Sequence, residues 1–222
     1  MPFALQEDLY FCLTDRGAIF LDLTANRYFC LNAATDHAFR RIVIGDALDP
    51  SLERDLRPLL SEGLLHRAES LRAMSPPSVE PPVLSLAVGA APAAVRTIAA
   101  ALGHHVMVRL EMRTLGLKTM VGRRRTRKRP SAVRDDPAAS IAGAHPVLAA
   151  HRAVDKLVGG VDRCLVRSLA LIDHLARHDL HPDMVIGVRA GAFSAHCWVQ
   201  QGSTLLNDEV DRIKLFTPIL VL

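Results

Sequence analysis

The chain has 222 residues, half of them hydrophobic and 23% charged, which excludes a disordered chain and suits one large core or two small ones. The net charge of +4 is modest, and much of it lies in GRRRTRKRP, Gly122 to Pro130, so the basicity is local. Four cysteines (Cys12, Cys30, Cys164 and Cys197) contain no CxxC pair, which suggests no zinc site and no other metal centre.

The first seventeen residues, MPFALQEDLYFCLTDRG, carry acidic groups where a secretion signal needs positive charge, so the cysteines read as free thiols. The most apolar stretch, Val83 to Leu102, is broken by Pro92 and Arg96 and is unsuited to a membrane span. The expectation is a soluble cytoplasmic protein with no membrane contact.

Three short strand-like runs open the chain: Leu9 to Leu13, Ala18 to Leu23 and Arg27 to Leu31, separated by TDRG and TAN turns. Asn32 is placed to cap a helix over Ala33 to Ile44. Pro50-Ser51 opens another helix with Leu52, Leu56, Leu59 and Leu60 on one face and Gly63 at its end. Three strands followed by helices make a winged-helix-like α+β layout over residues 1–70. AMSPPSVEPP, Ala73 to Pro82, holds four prolines and reads as an extended linker, taken as 71–82, before a second unit at 83–222.

The stretch GAIFLDLTANRYFCLNAATDHAF, Gly17 to Phe39, resembles the PqqD-like recognition elements of ribosomal-peptide maturation. That resemblance implies a leader peptide added as a strand against Tyr28, Phe29, Cys30 and Leu31, with backbone hydrogen bonds for affinity and pockets for specificity. The helix SLERDLRPLLSEG is charge-balanced and unsuited to nucleic acid. The basic run Arg123 to Arg129 lacks interleaved aromatics and reads as a solvated helix end or loop. No nucleic-acid partner is expected.

The second unit carries the chemistry. GGVDRCLVRSLALIDHLARH, Gly159 to His178, is a helix with Leu165, Leu169, Ile172 and Ala176 on one face and Ser168, Leu171 and Leu175 beside it. Asp162 is its expected N-cap. Cys164 then falls in the first turn, where the macrodipole and free N–H groups favour a thiolate and serve an oxyanion.

Beyond it, DMVIGVR (Asp183 to Arg189) and FSAHCWVQ (Phe193 to Gln200) read as strands, and STLLND (Ser203 to Asp208) returns as a hairpin around QGS. Alternation puts His196 on one face with Ser194, Trp198 and Gln200, and Cys197 on the other. Cys197 is therefore unsuited to be the nucleophile despite its adjacency to the histidine. A two-residue loop at Gln201-Gly202 sets Asn207 opposite His196, whereas a three-residue loop sets Asp208 there. Register leaves both open as partners of the imidazole.

RCLVRSLALIDHL, VIGV and FSAHCWVQQGSTLLND resemble the transglutaminase-like, papain-like cysteine peptidase domain of lasso-peptide maturation B proteins. The resemblance covers Gly159 to the C-terminus strongly and Val83 to Ala150 weakly. It implies Cys164, His196 and Asp208 as the catalytic set, with Trp198 and Asn207 lining the cleft. Cys197 departs from the family pattern, which has a small residue between the histidine and the tryptophan.

With the recognition half fused to it, the resemblance implies a leader peptidase acting by acyl transfer to water on a ribosomal precursor peptide. An asparagine-synthetase-like cyclase is the implied partner. The resemblance also implies an ATP dependence, although no Walker-type loop is present. The alternatives are an acyl transferase on a peptide with the same three residues, or a non-catalytic peptide-binding adaptor.

Overall fold

Apolar alternation and turn chemistry in the first third of the chain build a small sheet with helices on one side. In the computed structural model, which describes residues 3–47, 49–68, 74–86, 93–127, 137–158 and 163–222, the first strand is β1 (Phe3–Leu5). It is followed by a meander of β2 (Leu9–Thr14), β3 (Gly17–Asp22) and β4 (Arg27–Cys30), in the antiparallel order β2-β3-β4. Helix α1 (Ala33–Val43) begins at Asn32, whose side chain accepts the Thr35 N–H at 3.0 Å. Helix α2 (Pro50–Ser61) is capped by Asp49, which accepts from both Ser51 and Leu52 and was not anticipated. Strand β5 (Leu65–Arg67) returns to pair with β1. Those two strands are too short to show a period, and the sequence reading missed them.

The three-stranded sheet is buried on both faces. Leu9, Phe11, Ala18 and Phe20 point toward α1 and α2, where they meet Phe39, Leu52 and Leu56. Cys12, Ile19, Leu21 and Leu23 point the other way, into a core shared with Leu169, Ile186, Val199 and Ile219 of the second half. Period-2 alternation with both sets apolar is the mark of a strand covered twice. The proline-rich stretch from Met74 to Val83 has neither helix nor strand. It is nevertheless fastened down: Val79 packs beside Trp198, and Gln200 donates to the Glu80 carbonyl at 2.7 Å.

Beyond the linker come β6 (Leu84–Ser85) and three helices, α3 (Val95–Thr114), α4 (Gly116–Arg127) and α5 (Pro137–Val158). Helix α6 (Cys164–Ala176) leads into β7 (Asp183–Arg189), β8 (Ser194–Gln201), β9 (Thr204–Leu205), the short α7 (Val210–Ile213) and β10 (Thr217–Val221). The strands form one sheet in the order β10-β7-β8-β9-β6, with only β6 and β9 parallel. Helices α3, α5 and α6 pack on each other, and α6 lies on β8.

The basic run is a helix end, as expected, with Arg123 and Arg125 exposed, but Arg124 departs from a solvated one. Its described part is the last turns of α4, and Arg124 is 6% exposed. Its guanidinium donates to Asp173 on α6, to Glu111 on α3 at 2.9 Å and to the Met120 carbonyl. Arg125 lies over the Tyr10 ring at 4.9 Å, and Lys118 pairs with Asp8 at 3.0 Å. Arg125 thus joins the run to the first half; a charge pattern alone does not reveal that carboxylates wait on α3 and α6. Residues 128–130 lie outside the described set.

Candidate active site

Cys164 is the first residue of α6, so the unpaired N–H groups and positive end of the helix surround its sulfur. The N-cap position belongs to Arg163, with no side-chain cap bond, rather than to the expected Asp162, which lies outside the described residues. The buried arc of α6 is centred on Ser168, Leu171 and Leu175, because α3, α5 and β8 cover it from three sides; Leu165 and Ile172 are only half-buried.

Where β9 has not yet begun, the edge of β8 away from β7 is met by side chains. The Cys197 N–H is hydrogen-bonded to the Cys164 sulfur, and the Cys197 carbonyl accepts from Ser168 Oγ at 3.1 Å. Two residues on, the Val199 N–H donates to Asn207 Oδ1 at 2.8 Å, and Asn207 Nδ2 donates to Ser168 Oγ at 3.1 Å. Cys197 thus serves the site through its backbone. Its side chain is buried in the core, where desolvation pushes its thiol well above the usual range.

His196 Nε2 donates to Asp208 Oδ2 at 2.6 Å, and the same imidazole is hydrogen-bonded to Cys164. With Nε2 committed to the carboxylate, Nδ1 is the nitrogen left for the sulfur. The hydrogen bond from Asp208, then that from Cys164, raise the His196 pKa from 6.5 to about 9 against the opposing effect of burial. Burial pulls the Cys164 thiol up, but the hydrogen bond and charge of His196 and the N–H groups of Cys197 and Leu165 outweigh it, and the net is lowered. Asp208 is likewise held below its usual value: burial opposes, while His196, the Glu209 N–H and Arg212 prevail. All three directions favour a thiolate–imidazolium pair backed by a carboxylate.

The hairpin reaches this arrangement by a register other than the two anticipated. Gln200 pairs with Leu205 and Gln201 with Thr204, leaving a Gly202-Ser203 loop with Gly202 at φ +55°. The ladder ends there, and Asp208 reaches His196 by its side chain after the strands part. Asn207 is spent on the β8 edge as a clamp, although it also lines a cavity beside Asp208. Trp198 does not line a cleft. It is 1% exposed, packs with Val185, Leu205 and Ile213, and donates its indole N–H to Gln200 at 2.8 Å. Gly187 on β7 makes room for it, since a Cβ there would sit 2.6 Å from the indole.

This architecture, a cysteine at a helix start against a strand bearing the histidine, lies within the segment matched by a family model. Residues 104–221, more than half of the chain, match the transglutaminase-like superfamily. The chain belongs to that superfamily. No curated protein and no solved structure matches it. The transglutaminase-like domain begins within α3 and includes Cys164, His196 and Asp208. Domains of this superfamily are typically cysteine-protease-like enzymes, compatible with peptidase or acyltransferase chemistry. Among the described residues no helix is long and apolar enough to cross a membrane.

The expected leader-binding residues lie close to this domain. In β4, which among the described residues pairs only with β3, Phe29 stacks on Phe20 at 5.0 Å within the first-half core. Tyr28 faces the opposite way and meets Phe193 at 5.2 Å, just before β8. Burial, with the nearby Cys197 and Cys164 adding to it, pushes the Tyr28 phenol up to about 12. Cys30 is exposed and Leu31 half-buried. Three contributors escaped the sequence reading: Ser168, Phe216, whose ring lies 5.3 Å from His196, and Arg212, 3.7 Å from Asp208. Ser168 alone had a signal, its i+4 spacing from Cys164.

Proposed function

We propose that this transglutaminase-like protein is a leader peptidase of lasso-peptide biosynthesis, cutting a ribosomal precursor between leader and core. The observation that carries the reading is the His196–Asp208 contact at 2.6 Å on an imidazole that also holds Cys164 at the start of α6. The Cys164 thiolate adds to the carbonyl at the junction, and helix-start N–H groups receive the oxyanion. The His196 imidazolium gives its proton to the leaving amine of the core, the C–N bond breaks, and the leader remains as a thioester. His196, neutral again, takes a proton from water, which attacks the thioester and returns the thiol. Asp208 keeps the imidazole oriented throughout.

The edge of β4 away from β3, unpaired among the described residues, supports leader docking by strand addition, with Tyr28, Phe29, Cys30 and Leu31 as the contact set. The freed core would then pass to an asparagine-synthetase-like cyclase. Incubation of the full chain with a leader–core precursor, followed by mass spectrometry, tests the reading. Free leader and free core, absent with Cys164→Ala, are expected. A joined product with an added amine would reassign the chain as an acyltransferase. Binding without cleavage would leave an adaptor.

A further inference from the structure

Beside Asp208, with no contribution from His196 to its lining, lies a cavity of about 240 Å³. Three arginines from three helices line it: Arg152 of α5, Arg167 of α6 and Arg212 of α7. Their donors are largely unspent on charge. Arg152 bonds only the neutral Leu86 carbonyl, at 2.7 Å, among the described residues. Arg167 pairs with Asp155 at 2.7 Å through one terminal nitrogen, while its Nε is buried with no acceptor. Arg212 is 62% exposed and stands 3.7 Å from Asp208 Oδ1, beyond hydrogen-bond range.

The acids in the same wall are mostly committed. Asp208 is held by His196, Asp155 by Arg167, and Glu209 is exposed to water. A buried guanidinium N–H without an acceptor destabilises the fold, a deficit that an oxyanion removes. Planar guanidinium forks also match phosphate and carboxylate oxygens in pairs.

We propose that this cavity is a binding site for a small oxyanion, a phosphate group or a single carboxylate, held by Arg152, Arg167 and Arg212. Its volume lies below the usual range for whole drug-sized ligands, so it takes a head group. The oxyanion comes either from a free phosphate-bearing molecule or from an acidic side chain of a bound peptide. Occupancy would draw Arg212 off Asp208 and bring a negative charge near it. Both changes favour the imidazolium form of His196.

Site-resolved arginine modification tests this on the full chain without any use of turnover. Phenylglyoxal labelling is followed by peptide mass spectrometry at constant ionic strength, with exposed Arg54 and Arg57 as references. Inorganic phosphate should slow labelling of Arg152 and Arg212 saturably, about tenfold at ten times its dissociation constant, and leave the references unchanged. Arg152→Gln, a substitution of an exposed side chain, should weaken that protection at Arg212. A peptide bearing one glutamate, compared with its glutamine counterpart, forms the second arm. Protection by the glutamate peptide and not by phosphate supports the site and assigns its source to the peptide. Equal slowing at the reference arginines, no protection by either probe, or full protection in Arg152→Gln would overturn the proposal.

Discussion

Replacing Asp208 by Asn removes one charge from the candidate site and keeps its shape. His196 stands at about 9 instead of 6.5, and the largest cause is its hydrogen bond to Asp208, followed by that to Cys164. At about 1.4 kcal/mol per pH unit, the whole elevation is worth about 3 kcal/mol, of which Asp208 supplies the larger share. Its loss should lower the proton affinity of the imidazole by a factor on the order of ten to a few hundred. The signs follow from the two partners: His196 stays charged below about 9, and Cys164 stays ionised down to its lowered pKa, so the ion pair fills the interval between. In Asp208→Asn both edges close, because His196 falls back toward 6.5 and Cys164 is left with its burial. Iodoacetamide alkylation of Cys164 against pH, with exposed Cys30 as the internal reference, reads this directly. The wild type should react well below the ordinary thiol range, and the variant only at higher pH. Peptide cleavage should fall about 10²- to 10⁴-fold. An alkylation profile unchanged by the substitution would refute the assignment of Asp208.

Asn207→Ala should do the reverse, lowering stability by about 1–3 kcal/mol through the stranded Val199 N–H while the Cys164 alkylation profile holds; thermal melts and labelling check both. Cys197→Ala should retain most of the Cys164 reactivity, since its side chain only fills core, and Cys164→Ala should abolish thioester formation, as trapping and mass spectrometry would reveal. Gly187→Ala should cost about 1–3 kcal/mol and disturb the Trp198 ring beneath His196, seen as altered tryptophan fluorescence. Acid should destabilise the helical layer, where His105, His151 and His174 form a buried hydrogen-bonded chain at 3.2 and 3.1 Å. Desolvation holds all three below 6.5, His174 at about 4. The unfolded chain therefore binds more protons between pH 6.5 and 4, and stability should drop there by up to about 1.4 kcal/mol per pH unit per histidine. Denaturant melts across that range test it, and a flat profile would contradict it.

Much of the first half could be read from residues. The meander, the Asn32 cap and the α2 leucine face depend on short-range signals, and each has its counterpart in the structure. Strand β7 coincides with the predicted Asp183 to Arg189 run. What escaped depends on partners distant in sequence. The second apolar face of the sheet was visible as residues, but its cover, α6 and β10 among others, lies more than a hundred positions away. That cover bears on the reading of residues 1–70 as a separate unit. The fragment would expose Cys12, Ile19, Leu21 and Leu23, and should associate or lose structure unless the second half is supplied. Asp208 was chosen through resemblance, and the three-residue register that would have placed it opposite His196 is absent. Side-chain reach, which no ladder count contains, makes the contact.

The β8 edge beside Cys164 has a further consequence. A strand with open N–H and C=O groups is a template for another chain, and proteins ordinarily blunt such borders with charge, proline or a covering element. Here the blunting is shared: the Cys164 sulfur meets the Cys197 N–H, Ser168 the Cys197 carbonyl, Asn207 the Val199 N–H and the Leu206 N–H the Val199 carbonyl. The reactive thiol is therefore also a plug. A bulky adduct on that sulfur, or oxidation that swings it outward, would silence the proposed chemistry and uncover the Cys197 N–H in one event. The rest of the border, closed by Ser168, Asn207 and the Leu206 N–H, would stay sealed against another chain.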